Sequence, residues 1–225
     1  SAEIAEVIAQ YPTLHVKASG VLEGTLSMDH LYDDVRIIDA FEVRIAALNP
    51  HSERIPALYE IGGRTKEIAE KHRISDLRDL HRNFDGTACL CVKQEEKEKF
   101  PNGSTLLVFI EDLAVPYLYA LSNYDQRGVW PWGAFSHGAL GLLEYYADNT
   151  VEQKLDDVTG VLAAIRRDSN WKEYDKQFRK PSAKRGCLCR SGKPFEKCHN
   201  RAWVGLVRLR RELDRLGFKL GHLLN

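Results

Sequence analysis

The stretch His81–Leu90 contains three side chains that could together carry out acyl transfer. Cys89 supplies a thiol, Asn83 a side-chain amide and His81 an imidazole. A thiolate accepts an acyl group as a thioester, and an amide N–H stabilises the negative oxygen of the tetrahedral intermediate. Cys91 is a second thiol, and it lies on the same side as Cys89 if this segment is extended. The competing interpretation is that Cys89 is a small core residue.

A second group of chemically active residues lies near the C-terminus. It contains three thiols and one imidazole within thirteen residues, at Cys187, Cys189, Cys198 and His199. Four such ligands close a tetrahedral shell around zinc and leave no position for water. Because three sulfur ligands favour zinc over magnesium or calcium, we predict a structural Zn2+ site. Unliganded thiols would leave the loop with almost no core, whereas bound zinc supplies folding free energy.

Composition narrows the class of protein that can hold these two sites. The chain has 225 residues, zero net charge and five cysteines, an odd number that does not fit a secreted disulfide framework. The N-terminus lacks a secretory pattern, and no apolar run approaches the roughly 18 residues that span a bilayer. We therefore expect a cytoplasmic protein with no membrane partner.

Charge is unevenly distributed along the chain. From Arg179 to Arg215 there are twelve lysines and arginines against three acids, a net charge of +9, so the remainder is equally acidic. This asymmetry favours an acidic partner for the C-terminal region. A solvated face is the commoner explanation of such charges.

The residues before Cys89 are predicted to form a helix and a small sheet. Apolar residues at helical spacing over Ala2–Gln10 indicate a helix that Tyr11-Pro12 ends. Strand-like runs cover 14–28, 35–48 and 55–61. Because no crossover helix separates them, we predict an antiparallel meander and an α+β fold class.

The remaining segments are predicted to be mainly helical. Ser104 is a plausible N-cap for a helix in which Pro116 should produce a kink or a division. A basic linker over 180–186 precedes the second cysteine cluster. Residues 65–80 are predicted to form one helix or two short ones. Further helices are predicted over 105–121, 134–146, 151–167 and 203–216, the last of them basic and amphipathic.

Together, these motifs and elements resemble the ubiquitin-conjugating enzyme family. His81 and Asn83 match the family's His-Pro-Asn motif, and Gly86-Thr87-Ala88-Cys89-Leu90 matches the stretch around its catalytic cysteine. The resemblance implies an antiparallel β-meander with flanking helices over residues 1–121, as a catalytic domain. A helical extension would cover 122–180, and a small zinc knuckle with a basic C-terminal helix would cover 181–225.

The resemblance also implies an activity, partners and residue roles. Cys89 would take the C-terminal acyl group of a ubiquitin-like or other protein tag from an activating enzyme and pass it to an amine of a protein target. Asn83 would stabilise the oxyanion or brace its loop, and His81 would hold the turn. Arg82 in place of the family's proline, with the short interval from Asn83 to Cys89, suggests a divergent bacterial member. Such members are associated with antiphage defence.

The C-terminal cluster is similar to the zinc motif at the C-terminus of the SecA preprotein-translocase ATPase. It shares the Cys-x-Cys-x-Ser-Gly-Lys opening and the Cys-His close. That similarity implies a structural or partner-docking role. The alternative to the enzyme is a non-catalytic zinc-containing module whose basic C-terminus contacts nucleic acid or a protein partner, through Phe195, Trp203 and Arg208–Arg211. A cysteine hydrolase is a third idea, but no base-and-orienter pair near Cys89 supports it.

Overall fold

A computed structural model of the chain describes residues 2–17, 20–47, 49–132, 135–148 and 155–217. The chain divides into two compact units, residues 1–133 and residues 134–225, which we call the N-terminal unit and the C-terminal unit. The N-terminal unit contains a four-strand antiparallel sheet with flanking helices, so the predicted α+β class is confirmed.

The sheet of the N-terminal unit is a meander in which each strand pairs with the next along the chain. Two of the three predicted strand-like runs each form one strand, and the first divides into two. Residues 18, 19 and 48 of the predicted strands lie outside the described residues. The strands are β1 Leu14–Val16, β2 Leu22–Tyr32, β3 Val35–Ala46 and β4 Ala57–Glu60.

The long hairpin of β2 and β3 forms the centre of this sheet. Its register runs from Leu22 opposite Ile45 to Tyr32 opposite Val35. The two-residue turn is Asp33-Asp34, and both residues have positive φ, 47° and 61°. Two such residues in succession are the requirement of a type I′ turn, which matches the twist of the flanking strands.

One face of the hairpin packs against a long helical segment that holds the core of the unit. This segment consists of α4 (Leu106–Phe109), a π-helical turn (Ile110–Ala114) and α5 (Val115–Arg127). Pro116 lies in the first turn of α5, where its missing N–H is tolerated. The helical segment is not divided at Pro116; it continues through this residue, with a change from π-helical to α-helical geometry directly before it.

The N-cap of this helix differs from the prediction by one residue. The Thr105 hydroxyl accepts a hydrogen bond from the Val108 N–H at 3.3 Å, so Thr105 is the cap and the assignment of Ser104 was wrong. Ser104 instead belongs to the preceding turn, where its N–H donates to the Pro101 carbonyl at 3.1 Å. Adjacent Ser and Thr offer the same hydroxyl chemistry, so turn geometry chose between them.

The segment Leu106–Arg127 is also long and apolar enough, by length and composition alone, to cross a membrane. The expectation that no stretch reaches that length overlooked it, because its few charges interrupt the apolar run. Of its most apolar stretch, 67% is buried inside the protein. That burial is the pattern of a core helix, and Leu118 and Leu121 within it are fully buried.

The other helices of the N-terminal unit are short. The segment 65–80, predicted as one helix or two, divides, because Arg73 takes a left-handed conformation after the first part ends. The helices are α1 Ala2–Gln10, α2 Arg64–Lys71, α3 Glu96–Lys99 and 3-10 turns at Leu77–Leu80 and Lys93–Glu95.

The described part of the C-terminal unit is mainly helical, and its helices pack closely. A Cβ atom at Gly205 would lie 1.7 Å from the Leu143 carbonyl oxygen, so only glycine allows this approach. The starts predicted for two helices, at 134 and at 151, lie outside the described residues. The helices are α6 Gly138–Asp148, α7 Leu155–Arg166, α8 Trp171–Arg179, α9 Phe195–Cys198 and α10 Asn200–Arg215.

Candidate thiol site and candidate metal centre

Cys89 lies on one arm of a short hairpin that spans residues 81–89. Arg82 pairs with Ala88, and the Cys89 N–H donates to the His81 carbonyl at 2.7 Å. In this antiparallel register Cys89 is directly opposite His81, the imidazole that the sequence placed beside it. The structure therefore brings together two of the three predicted catalytic residues through their backbone.

The hairpin is joined to the open side of strand β4. Tyr59 pairs with Thr87, and the Ala88 N–H donates to the Leu58 carbonyl at 2.8 Å. Thr87 is fully buried and Ala88 nearly so. The candidate nucleophile is thus one residue beyond a segment that the sheet holds in place.

Asn83 lies at the start of the tight turn of this hairpin. Its N–H donates to the Thr87 carbonyl at 2.8 Å, and its side-chain amide donates to the Thr87 hydroxyl at 2.9 Å. Gly86, with φ 88°, supplies the left-handed residue that such a turn requires. The amide predicted to serve the oxyanion is therefore fixed by Thr87, four residues along the chain.

A polar network extends from Thr87 to residues that the sequence reasoning missed. The Asp85 carboxylate accepts hydrogen bonds from the Thr87 hydroxyl at 2.7 Å and from its N–H at 3.1 Å. His51 Nε2 lies 3.0 Å from the second Asp85 oxygen. Partial burial acts to raise the pKa of Asp85, but the Thr87 hydrogen bonds and nearby His51 hold it below its usual value. The Asp-x-Thr spacing is a detectable turn signal, whereas nothing local marks His51.

The two thiols of the site differ in their electrostatic surroundings. Both Cys89 and Cys91 are half-buried, and burial raises the pKa of each. At Cys91 the carboxylates of Glu96 and Glu95 add to that effect and raise the pKa to about 12. The environment therefore favours Cys89 as the thiol that ionises, because a thiolate at Cys91 would face two negative charges.

His81 is held by the surrounding structure in a special conformation. Its φ of 52° is left-handed, and its ring meets the Trp130 ring edge to face, with centroids 4.9 Å apart. Just before it, the Leu80 carbonyl accepts a hydrogen bond from the buried Tyr117 hydroxyl at 3.2 Å. These contacts suit a residue that shapes the turn, and Trp130 was not predicted to contribute because it lies some fifty residues away in sequence.

The four predicted metal ligands converge in the C-terminal unit. One ligand atom from each of Cys187, Cys189, Cys198 and His199 lies within 4.8 Å of all the others. Cys187 Sγ is 3.2 Å from His199 Nδ1, and Cys189 Sγ is 3.5 Å from Cys198 Sγ. Ligands at about 2.0 to 2.3 Å from a tetrahedral zinc ion have comparable separations. The cluster can therefore hold a metal ion, with His199 contributing Nδ1.

The backbone around the cluster explains how a short segment brings four ligands together. Gly186 pairs with Pro194, and the Cys187 N–H donates to the Lys193 carbonyl at 2.8 Å, which forms a small hairpin. Its turn uses left-handed conformations at Arg190 and Gly192, with φ 64° and 76°. We use the name zinc knuckle, after the ion that the sequence predicts there, for residues 183–199, which are this hairpin and the short helix α9.

The knuckle is anchored by two large apolar side chains, Leu188 and Phe195, which belong to the core of the C-terminal unit. Phe195 opens α9 and is fully buried, with its ring 5.8 Å from that of Trp203. Cys187 is also buried, whereas Cys189 is exposed. One side of the cluster therefore faces the core of the C-terminal unit and the other faces solvent.

Comparisons of the chain with protein-family models, with curated proteins and with solved structures find no match. Functional proposals for it therefore depend on the chemistry of these two sites.

Proposed function

We propose that the N-terminal unit is a protein-conjugating transferase of the ubiquitin-conjugating type. In this proposal Cys89 carries the C-terminal acyl group of a small protein or protein tag as a thioester and passes it to an amine of a protein target. The observation that supports it best is the hairpin at the edge of the meander, which holds Cys89 opposite His81 and fixes Asn83 nearby. A bacterial conjugation or antiphage pathway in the cytoplasm stays a prediction.

The first chemical step is thioester exchange. The Cys89 thiolate attacks the carbonyl carbon of the donor thioester, and the carbonyl oxygen takes a negative charge. The bond between that carbon and the donor sulfur then breaks, and the donor leaves as a thiolate. In the second step an amine attacks the new thioester, an amide forms, and Cys89 leaves as a thiolate while the amine loses a proton.

Asn83 would act in both steps as the hydrogen-bond donor to the oxyanion. Its amide nitrogen carries two hydrogens, and the one donated to Thr87 fixes the plane of the group. The second hydrogen then has a defined direction, which is the preorganisation that oxyanion stabilisation needs. Asp85 would assist indirectly, because it holds the Thr87 hydroxyl that holds Asn83.

Burial of Cys89 determines the protonation state of its thiol before the reaction begins. Since burial raises its pKa, Cys89 is a protonated thiol at neutral pH and must lose its proton during attack. An already activated thioester makes this feasible without a strong adjacent base. The same burial limits side reactions of the thiol.

We further propose that the cluster of the zinc knuckle holds a structural Zn2+ ion. Three thiolates and one imidazole complete the coordination shell, so the ion would stabilise the knuckle and supply no catalytic water. Removal of the ion would leave Phe195 and Leu188 as the main apolar contacts of the knuckle with the rest of the unit.

The transferase is tested with a fluorescent glycine-terminated peptide thioester as acyl donor. We expect a protein adduct that a thiol reagent removes, that Cys89→Ala abolishes and that the matched control Cys91→Ala retains. Asn83→Ala should slow adduct formation about a hundredfold, the usual cost of losing one oxyanion donor. An adduct lost with Cys91→Ala and kept with Cys89→Ala would refute the assignment of the nucleophile. No adduct above the level of Cys89→Ala would refute the activity.

A further inference from the structure

The basic C-terminal unit exposes a group of lysines around the zinc knuckle. Residues 134–225 contain 18 lysines and arginines against 11 acids, a net charge of +7. The sequence predicts a contact surface for this region at Phe195, Trp203 and Arg208–Arg211. The structure shows which of these cations face solvent.

Helix α10 does not provide the surface that the sequence suggested. Phe195 is fully buried and Trp203 packs against it, so neither ring is a free platform for stacking. Leu206 and Leu209 on the helix are also fully buried. The Arg208 guanidinium lies over the Tyr146 ring, 5.7 Å from its centroid. Much of this helix therefore serves the interior of the C-terminal unit.

Four lysines around the knuckle behave differently. Lys180, Lys184, Lys193 and Lys197 are all exposed. Within the described ranges, none of their ammonium groups lies within ion-pairing distance of a carboxylate. Lys184 and Lys193 lie on the two arms of the knuckle hairpin, which pair at Gly186 and Pro194. Lys197 lies in α9, where the neighbouring Glu196 N–H donates to the Ala183 carbonyl at 3.1 Å, and Lys180 ends α8.

Two of the three cations on the neighbouring helix α8 are neutralised locally. Lys176 pairs with Glu173 at 2.6 Å, and Arg179 pairs with Asp175 at 2.9 Å. The four lysines of residues 180–197 instead place exposed positive charge within one short segment. Such a group of charges attracts polyanions and loses that attraction as salt screens it.

The kind of polyanion follows from what this surface lacks. Among the large apolar side chains that the described part of the C-terminal unit contains, Val204 alone is exposed. A protein partner is usually anchored by aromatic or aliphatic side chains in a desolvated core, and a membrane partner by inserted apolar side chains. Nucleic acid needs neither, because contacts between lysines and phosphates supply most of its non-specific affinity.

We propose that the zinc knuckle, together with Lys180 at the end of α8, binds the phosphate backbone of nucleic acid without sequence preference, and that the contacts are made by Lys180, Lys184, Lys193 and Lys197. The metal cluster would hold the hairpin that presents the lysines. This function is independent of the transferase proposed for the N-terminal unit, since it uses none of the residues of the thiol site.

The test measures binding of the zinc-loaded full chain to a labelled duplex oligonucleotide by fluorescence anisotropy. Four phosphate contacts predict that affinity falls about a hundredfold between 50 mM and 200 mM salt. Replacing the four lysines by glutamine should remove most binding at the lower salt and flatten the salt dependence. Replacing them by arginine should restore both, because the charge returns.

A matched control removes four exposed lysines from the N-terminal unit instead, at Lys17, Lys66, Lys93 and Lys97. We expect this glutamine variant to bind as the unchanged chain does, although its total charge is the same as that of the knuckle variant. Zinc content and thermal unfolding are measured for every variant. If the quadruple variant fails to fold, Lys193→Gln and Lys197→Gln singly should each weaken binding several-fold.

Three results would overturn the proposal. The first is no binding at the lower salt concentration. The second is equal loss of binding in the control variant and the knuckle variant, or no loss in either. The third is equal or tighter binding to polyglutamate or to phosphatidylserine vesicles at matched charge, which would assign the lysines to an acidic protein or a membrane surface.

Discussion

The N-terminal and C-terminal units differ both in charge and in the apolar side chains that they expose. Residues 1–133 contain 21 acids against 14 lysines and arginines, a net charge of −7, whereas residues 134–225 have a net charge of +7. Seven of the eight large apolar side chains that are exposed among the described residues belong to the N-terminal unit. Phe84, 88% exposed at the tip of the hairpin that carries Cys89, is the most exposed of them.

The two units therefore expose different kinds of surface. Apolar side chains near an acidic surface suit a protein partner, as a tag or target protein would be. Unpaired lysines with little exposed apolar surface suit a polyanion. The interiors of the units also differ, because the core of one lies between a sheet and a helix, whereas the other includes four side chains that could hold a metal ion.

The largest effect should come from a zinc ligand. We expect Cys198→Ser to lower zinc content and to destabilise the C-terminal unit by several kcal/mol, because structural zinc contributes directly to folding. The N-terminal unit should be unaffected. Hydrogen exchange measured by mass spectrometry resolves the two units, and Cys91→Ser is the control, since it removes a thiol outside the cluster. Equal loss of protection in both units would contradict the separate origins of their stability.

A smaller effect is expected from the close approach of two helices in the C-terminal unit. The methyl group of Gly205→Ala would meet the Leu143 carbonyl, and we expect a loss of about 3 kcal/mol in the free energy of unfolding. Gly160→Ala in α7 is the matched control, because a Cβ atom there meets nothing within 4 Å. It should stabilise the unit by up to about 1 kcal/mol. Urea unfolding gives both values, and equal effects would contradict the packing described.

The smallest effect concerns the pH dependence of Cys89. Since burial raises its pKa in the folded chain, native Cys89 should react with iodoacetamide several-fold more slowly at about pH 8 than in the unfolded chain. The contribution of the Cys89 thiol to the free energy of unfolding is present below the pKa that this thiol has in the unfolded chain. It is lost as pH rises through the pKa that the thiol has in the folded chain. Alkylation at each cysteine is followed by mass spectrometry. Native Cys89 reacting as fast as the unfolded thiol would contradict the burial effect, and Cys91 should react more slowly still.

The sheet and the metal cluster could be predicted because their signals are local. Alternating apolar residues marked β2 and β3, and four ligands within thirteen residues marked the cluster. Both features can be predicted without the tertiary structure, because each depends only on the spacing of residues along a short segment. Pro116 has no N–H to donate within a helix, so its position in the sequence likewise predicts a change of helix geometry near residue 116.

The details of the thiol site could not be predicted in the same way. The sequence placed Asn83 near Cys89, but the turn joins its amide to Thr87 instead. That hydrogen bond depends on the left-handed conformation at Gly86 and on the hydrogen bond from the Thr87 hydroxyl to Asp85. The spacing of apolar residues predicts neither of them. Phe195 and Trp203 were assigned to a contact surface for a similar reason, because an aromatic residue beside cations fits a buried or an exposed position equally well.

The hairpin that holds Cys89 also protects the sheet from self-association. By pairing with Leu58 and Tyr59, it occupies backbone groups of β4 that would otherwise end the sheet as an open strand. Open strands recruit strands of other molecules and begin aggregation. Any change that opens this segment would therefore also expose the edge of β4 to strands of other molecules.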